Sequence, residues 1–242
     1  MARRREGRNR MLRITAGACA CAIALVMAAM AATAQTAAPA PVRLATEDGG
    51  LIHGDVYGSG PRGVILVHGG RFNKGSWEKQ ARELAAAGFR VLAIDFRGYG
   101  DSTGPGQSDI FTAPLHLDVL AGVRHLRATG ATTVAAIGGS MGGSVAASAS
   151  IAEPGAIDRL ILLGSTPDAP PEQLVVRKLY IATRDDTSGD GPRLPGLKAH
   201  FAAAPEPKTL ILLEGSAHAQ YMFQTDQADR VMREILHFLA LP

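Results

Sequence analysis

Cysteine is almost missing from this chain. Its 242 residues include two, Cys19 and Cys21, and both lie within the first 34 positions. The rest of the sequence has no thiol, which excludes a cysteine nucleophile, a disulfide framework and cysteine-ligated zinc there. It also suits an oxidising compartment, where a stray thiol is a hazard. Metal-binding patterns are missing too: there is no H-E-x-x-H, and the seven histidines are scattered. The paired glycines Gly138-Gly139 lack the Lys-Ser/Thr that a nucleotide-phosphate loop needs. No metal or cofactor is therefore expected. Aromatic residues are scarce, at 5% with Trp77 the single tryptophan, against 46% apolar residues overall. A chain of this length and composition supplies one sizeable core and too little for two comfortable domains. No internal repeat is visible.

The formal charge of +3 is unevenly placed. Six of the 25 basic residues, but only one of the 22 acidic residues, occupy positions 1–34, which leaves 19 basic and 21 acidic residues (net −2) for the rest. Nucleic-acid binding requires a basic stripe on the folded domain, so no nucleic-acid partner is expected. The N-terminal stretch reads instead as a targeting segment. Arginines from Arg3 to Arg13 precede an apolar run, Ile14 to Ala32, and Ala32-Thr33-Ala34 offers the small residues of a cleavage site. Residues 1–34 are expected to be a bacterial-type signal peptide cut before Gln35, directing export to the periplasm or beyond with no stable membrane insertion after removal. A retained anchor is the other reading, although the run is Ala-rich where about 20 strongly apolar residues normally span. Residues 35–41 read as a short linker, and residues 42–242 as one domain.

Strand-like runs alternate with helical patterns along that domain. Val42–Thr46 and Leu51–Tyr57 flank a Glu-Asp-Gly-Gly turn and suggest an opening hairpin. Gly63–Val67 is almost continuously apolar, as a strand covered on both faces should be. Ser76 is the expected N-cap of a helix over Trp77–Ala87, with Gly88 as its stop. Strands are expected at Arg90–Ile94, Thr132–Ile137, Asp158–Leu163, Lys178–Thr183 and Thr209–Leu213. Helices are expected at Pro114–Thr129, at Ser144–Glu153 and at Asp226–Ala240, the last with Val231, Ile235, Leu236 and Leu239 on one face. The alternation argues an α/β fold: a doubly wound, mostly parallel sheet of about eight strands with helices on both faces. Loops at 100–112 and 184–196 follow strand ends, where such sheets place ligands.

Chemistry concentrates at Gly138-Gly139-Ser140-Met141-Gly142, between the Thr132–Ile137 strand and the helix that follows. G-x-S-x-G in that setting is a nucleophile elbow. The turn is so tight that the serine is strained, and the residues two before and two after it must lack bulk, hence Gly138 and Gly142. Ser140 is the expected nucleophile. A free hydroxyl needs an adjacent base, and an imidazole suits because it can both take and return a proton.

Three further motifs accompany the elbow: His68-Gly69-Gly70 after the third strand, Asp95-Phe96-Arg97-Gly98-Tyr99-Gly100-Asp101-Ser102 after the fourth, and an acid followed later by a histidine. Together they resemble the α/β-hydrolase family across residues 42–242. About 14 residues separate the Asp158–Leu163 and Lys178–Thr183 strands, too few for a helical cap, so the chain is similar to the lidless, dienelactone-hydrolase-like branch, with a serine in place of that branch's cysteine.

The resemblance implies a base in the loop after the last strand, where His218 sits. His68 would be structural, His53 lies in the hairpin, and His116, His125, His200 and His237 fall on helices. It implies an acid after the Lys178–Thr183 strand; Asp185 and Asp186 both stand there, and family spacing favours Asp186. Oxyanion donors would be the backbone N–H of Met141 and that of Gly70, with Arg71 the alternative to Gly70. Asp95 and Arg97 would brace a turn. Arg71, Lys74 and Arg184 flank the rim, either as solvated charges or as attractors of an anionic substrate group. The implied activity is hydrolysis of a small carboxylic ester through an acyl-serine. Acyltransfer, thioester, lactone or peptide cleavage, and a non-catalytic binding role on the same fold, remain open alternatives. The oligomeric state is not indicated.

Overall fold

Alternation at period two decides the sheet. In β3 (Arg62–Val67), Val64 and Leu66 face one layer while Ile65 and Val67 face the other, and all four are fully buried. The same two-sided burial recurs in β4 (Phe89–Ile94), β5 (Thr133–Gly139), β6 (Arg159–Leu163) and β7 (Arg177–Thr183). Runs that are apolar at every position are what a strand covered on both faces requires. The protein is described here by a computed structural model covering residues 38–241. The expected signal peptide and positions 35–37 of the expected linker lie outside the described residues.

With β1 (Ala40–Ala45), β2 (Leu51–Tyr57) and β10 (Lys208–Leu213), these strands form one eight-stranded sheet in the order β1-β2-β4-β3-β5-β6-β7-β10. The pairs from β4 to β10 are parallel, and β1 and β2 form an antiparallel hairpin against β4. Helices α2 (His116–Ala128), α3 (Met141–Ala152) and α4 (Leu194–Ala203) cover one face; α1 (Glu78–Ala86) and α5 (Ala228–Ala240) cover the other. On α5 the buried residues are Val231, Met232, Ile235, Phe238 and Leu239, wider than the stripe read from sequence. Strand order reverses at β3, between β4 and β5. The loops leaving the C-terminal ends of β3 and β5 therefore meet, which is where open α/β sheets form their ligand crevice.

Several boundaries differ from the sequence reading. Ala40 and Pro41, read as linker, already pair with Val56 and Asp55; Pro41 is tolerated because β1 is an edge strand. Ser76 does not cap α1. It lies in a 3-10 turn (Lys74–Trp77) capped by Asn73, whose side chain accepts the Gly75 N–H. Helix α3 begins at Met141, so Gly142 and Gly143 are helical despite their low propensity. The loop read at 184–196 contains a two-residue ribbon, β8 (Thr187–Ser188) with β9 (Gly191–Pro192), and the start of α4. Pro195 and Gly196 hide that start, since proline is accepted in a first helical turn. Among the described residues, 164–176 join β6 to β7 with one 3-10 turn and no cap domain.

Buried polar residues tie the loops to this frame. The Arg97 side chain is wholly buried and donates from Nε (2.9 Å) and Nη2 (2.6 Å) to Asp118 Oδ1, while Asp118 Oδ2 accepts the Arg97 N–H at 3.0 Å. The same guanidinium donates to Asp48 and, by its hydrogen bonds first, holds that carboxyl down at about 2. The pair closes the Asp95–Ser102 loop onto α2. Asp118→Ala would leave the buried guanidinium with the partly exposed Asp48 as its remaining carboxylate, so urea titration is expected to show a loss of about 3 kcal/mol, the low end for removing one partner of a buried pair; a loss within experimental scatter would refute the bracing role.

His68 is buried between two committed partners: Nε2 accepts the Phe96 N–H at 3.2 Å, and Nδ1 donates to the Gly69 carbonyl at 2.9 Å. A ring with one donor and one acceptor nitrogen is neutral. Burial pushes its pKa below the usual histidine value, as it does for His125 and His200. In the unfolded chain these rings take up protons near about 6.5, before the folded chain does. Their stabilising contribution is complete above that value and is lost as pH falls through the folded-state pKa values. The unfolding free energy is expected to be lower at about pH 5.5 than at about pH 7.5, and an equal or higher value would contradict this assignment.

Candidate active site

Ser140 sits where β5 turns into α3, and the turn leaves no room for side chains around it. A Cβ on Gly138 would lie 2.5 Å from the backbone of Gly142 and Gly143. A Cβ on Gly142 would strike the carbonyl of Val67 and come within 2.6 Å of that of His68. Both glycines are required by this mutual approach, and it presses the turn against the end of β3. Ser140 itself takes φ 50° and ψ −117°, a left-handed conformation that costs a non-glycine residue of order 1–3 kcal/mol. Its N–H donates to the Leu163 carbonyl of β6 at 2.9 Å, so neighbouring strands hold the strained peptide. The Met141 N–H opens α3, where the first amides have no acceptor within the helix and the helix dipole favours negative charge.

His218 follows β10 and reaches the serine from across the crevice. Its Nε2 is 2.8 Å from Ser140 Oγ, and its Nδ1 is 2.6 Å from Asp186 Oδ2. A carboxylate only accepts, so Nδ1 carries the proton and donates to Asp186, leaving Nε2 to accept from the Ser140 hydroxyl. The three side chains form one hydrogen-bonded line. The Asp186 side chain is buried, and that of His218 is partly exposed. Asp185 is exposed, and its N–H donates to the Gly215 carbonyl, away from the imidazole. Gly164 (φ +53°) underlies the ring: a Cβ there would lie 3.3 Å from His218 Nδ1 and 2.7 Å from the Ala219 nitrogen.

The loop after β3 is fixed from two sides. Gln220, buried, accepts the Gly69 N–H through Oε1 at 2.7 Å and donates from Nε2 to Ser76 Oγ at 2.7 Å. Tyr99 donates its hydroxyl to the Gly70 carbonyl at 2.9 Å. Gly70 thereby sits beside the elbow, and a Cβ on it would lie 3.7 Å from Met141 Sδ. Gln220 and Tyr99 escaped the sequence reading. Tyr99 lies inside a motif noted for its flanking charges, and Gln220 stands two residues after His218 with no pattern around it. Arg193 was missed as well. Its Nε lies 3.5 Å from Asp186 Oδ1, an ion-pair distance for an oxygen that makes no hydrogen bond, and its N–H donates to the Asp186 carbonyl.

A cavity of about 570 Å³ opens over Ser140 and His218, bordered by Gly70, Arg71, Phe72, Tyr221 and Arg193. A second, of about 370 Å³, meets it at Ser140, Met141, Ile110 and Phe111 and continues past Leu115, Val145 and Asp168. These dimensions suit a small molecule. Of the rim cations read from sequence, Lys74 pairs with Asp55 at 2.7 Å and Arg184 with Glu214 at 2.8 Å, away from the serine. The crevice thus gathers a hydroxyl, an imidazole hydrogen-bonded to a buried carboxylate, and the amide that opens α3, the kinds of group a nucleophilic reaction uses.

Known proteins are similar to this chain in sequence over part of its length and in fold. The model for the alpha/beta hydrolase fold matches residues 63–226. A bifunctional epoxide hydrolase 2 of Rattus norvegicus is 40% identical over 88 residues, covering 32% of this chain and 16% of that protein. A 2-hydroxy-6-oxononadienedioate/2-hydroxy-6-oxononatrienedioate hydrolase of Paraburkholderia xenovorans (strain LB400) is 30% identical over 135 residues, covering 54% of this chain and 46% of that protein. The matched stretches thus span less than half the length of these curated relatives. Among solved structures, an esterase of Pyrococcus furiosus superposes with a TM-score of 0.68 at 18% identity, covering 85% of this chain and 91% of the esterase. An esterase of Rhodococcus sp. ECU1013 gives 0.66 at 19%, covering 83% and 98%. At such identities the structural likeness speaks to the fold alone. Taken with the sheet order and the family match over most of its length, the chain belongs to the α/β-hydrolase fold family.

Proposed function

We propose that this protein is a serine hydrolase that cleaves a small carboxylic ester through an acyl-serine intermediate. The observation that carries the reading is the unbroken line from Ser140 Oγ through His218 to Asp186, at 2.8 and 2.6 Å, on a serine held at positive φ. Ser140 attacks the carbonyl carbon as His218 Nε2 takes its proton. Asp186 keeps Nδ1 protonated and stabilises the imidazolium without taking the proton itself. The oxyanion lies against the N–H of Met141 and that of Gly70, with Arg71 N–H the alternative second donor; one such donor is typically worth about 10²–10³ in turnover. Collapse of the tetrahedral adduct expels the alcohol, which receives the proton from His218, and water repeats the sequence to free the acid.

Relatives of this chain include proteins named as epoxide hydrolases and one named as a dienedioate hydrolase. Ester chemistry fits the residue at 140 better than epoxide opening does. A serine oxygen that opened an epoxide would be left as an alkyl ether, which the water step of this site could not release. An acyl-serine is an ester and turns over. The arginine-rich residues 1–34 support export as a companion proposal, to be checked by fractionation of the full-length protein and N-terminal sequencing of the recovered form.

A fluorophosphonate probe is expected to label the wild type and not Ser140→Ala. On short-chain chromogenic esters, kcat is expected to fall about 10⁶-fold in Ser140→Ala and about 10⁴-fold in Asp186→Asn, with thermal unfolding little changed. Ester turnover by Ser140→Ala close to wild type would overturn the reading.

A further inference from the structure

The two cavities that meet at Ser140 differ in charge. The larger one, which His218 borders, carries Arg71 and Arg193 and no carboxylate in its lining. The smaller one carries no Arg or Lys; it is lined by His116 and by Asp168, whose carboxylate accepts from Ser144 Oγ at 2.9 Å, beside apolar Leu115 and Val145. Arg71 meets no acid among the described residues, whereas Lys74 and Arg184 are spent on Asp55 and Glu214. Arg193 leans on Asp186 at 3.5 Å, and its side chain remains 43% exposed. Phe72 and Tyr221, with ring centroids 4.9 Å apart, form an apolar wall of the same cavity, which strengthens any charge pairing inside it.

Geometry also assigns the two cavities to the two halves of an ester. The imidazolium must hand its proton to the departing oxygen, so the alcohol portion occupies the cavity that His218 borders. The acyl chain is left with the cavity along Leu115 and Val145, where a second negative charge would face Asp168. Resting on the esterase reading above, we propose that Arg71 and Arg193 make this enzyme selective for esters whose alcohol portion carries a carboxylate.

The test compares matched pairs in which a carboxylate is replaced by its carboxamide. The butyryl ester of gamma-hydroxybutyrate against that of gamma-hydroxybutyramide places the charge on the alcohol side; monoethyl succinate against ethyl succinamate places it on the acyl side. The kcat/KM ratio is expected to favour the alcohol-side carboxylate about tenfold, and the acyl-side carboxylate not at all. Raising ionic strength to about 1 M, where charges are screened beyond about 3 Å, should shrink the preference. Arg71→Gln with Arg193→Gln should bring the ratio near one, and Arg71→Lys should keep most of it. Because Arg193 also touches Asp186, the ratio rather than the rate is the readout. A wild-type ratio near one, a preference for the acyl-side carboxylate, or a preference that survives the double Gln variant each overturns the proposal. If the carboxamide esters still turn over in those cases, the esterase reading stands; if none of the four esters is cleaved, both fall.

Discussion

The clearance between the elbow and the end of β3 governs this structure. Two backbones approach so closely at Gly138, Gly142 and the Val67–His68 carbonyls that no side chain fits between them. That approach forces Ser140 into a left-handed conformation, opens α3 at Met141, and brings the loop bearing Gly69 and Gly70 beside the same hydroxyl. Strain at one residue is sustained because the parallel ladder on both sides of β5 resists relaxation. The apolar interior therefore serves the site directly: the fully buried side chains of β3, β5 and β6 keep the strands in register, and register decides where the turn falls.

Around that point, directional polar contacts do what apolar packing cannot. Neutral His68 links the end of β3 to Phe96, Arg97 locks the following loop onto α2, and Gln220 joins the loop of His218 to the loop of Gly69 and Gly70. Each is buried and matched, so each costs heavily to disturb and fixes one loop relative to another. The crevice is built from segments distant in sequence, and these contacts set their spacing.

Much of this was legible in the residues. Continuous apolar runs announced β3 to β7, and G-x-S-x-G between a strand and a helix announced the elbow, because both follow from local sterics. His218 could be singled out by its place after the last strand. What stayed hidden depends on distant partners or on very short elements. Family spacing favoured Asp186 and left Asp185 as the alternative; in the fold, the carboxylate that meets the imidazole is that of Asp186. Ser76 looked like a helix cap, but its hydroxyl accepts from Gln220, 144 positions away, and Asn73 caps the turn instead. The β8–β9 ribbon is two residues per strand, below any periodicity, and α4 opens on Pro195 and Gly196, which read as loop. Arg193 owes its place beside Asp186 to that ribbon and helix start.

The brief connection across residues 164–176 has its own bearing on what can follow attack at Ser140. Among the described residues nothing from that side folds over the crevice, so bulk solvent would have direct entry to the acyl adduct proposed at Ser140. On the proposed mechanism, water would then compete as acceptor at a concentration no dissolved alcohol can match, and the partition of such an adduct would lean toward hydrolysis and away from group transfer. On the proposed mechanism, selectivity would then fall to the walls of the crevice itself.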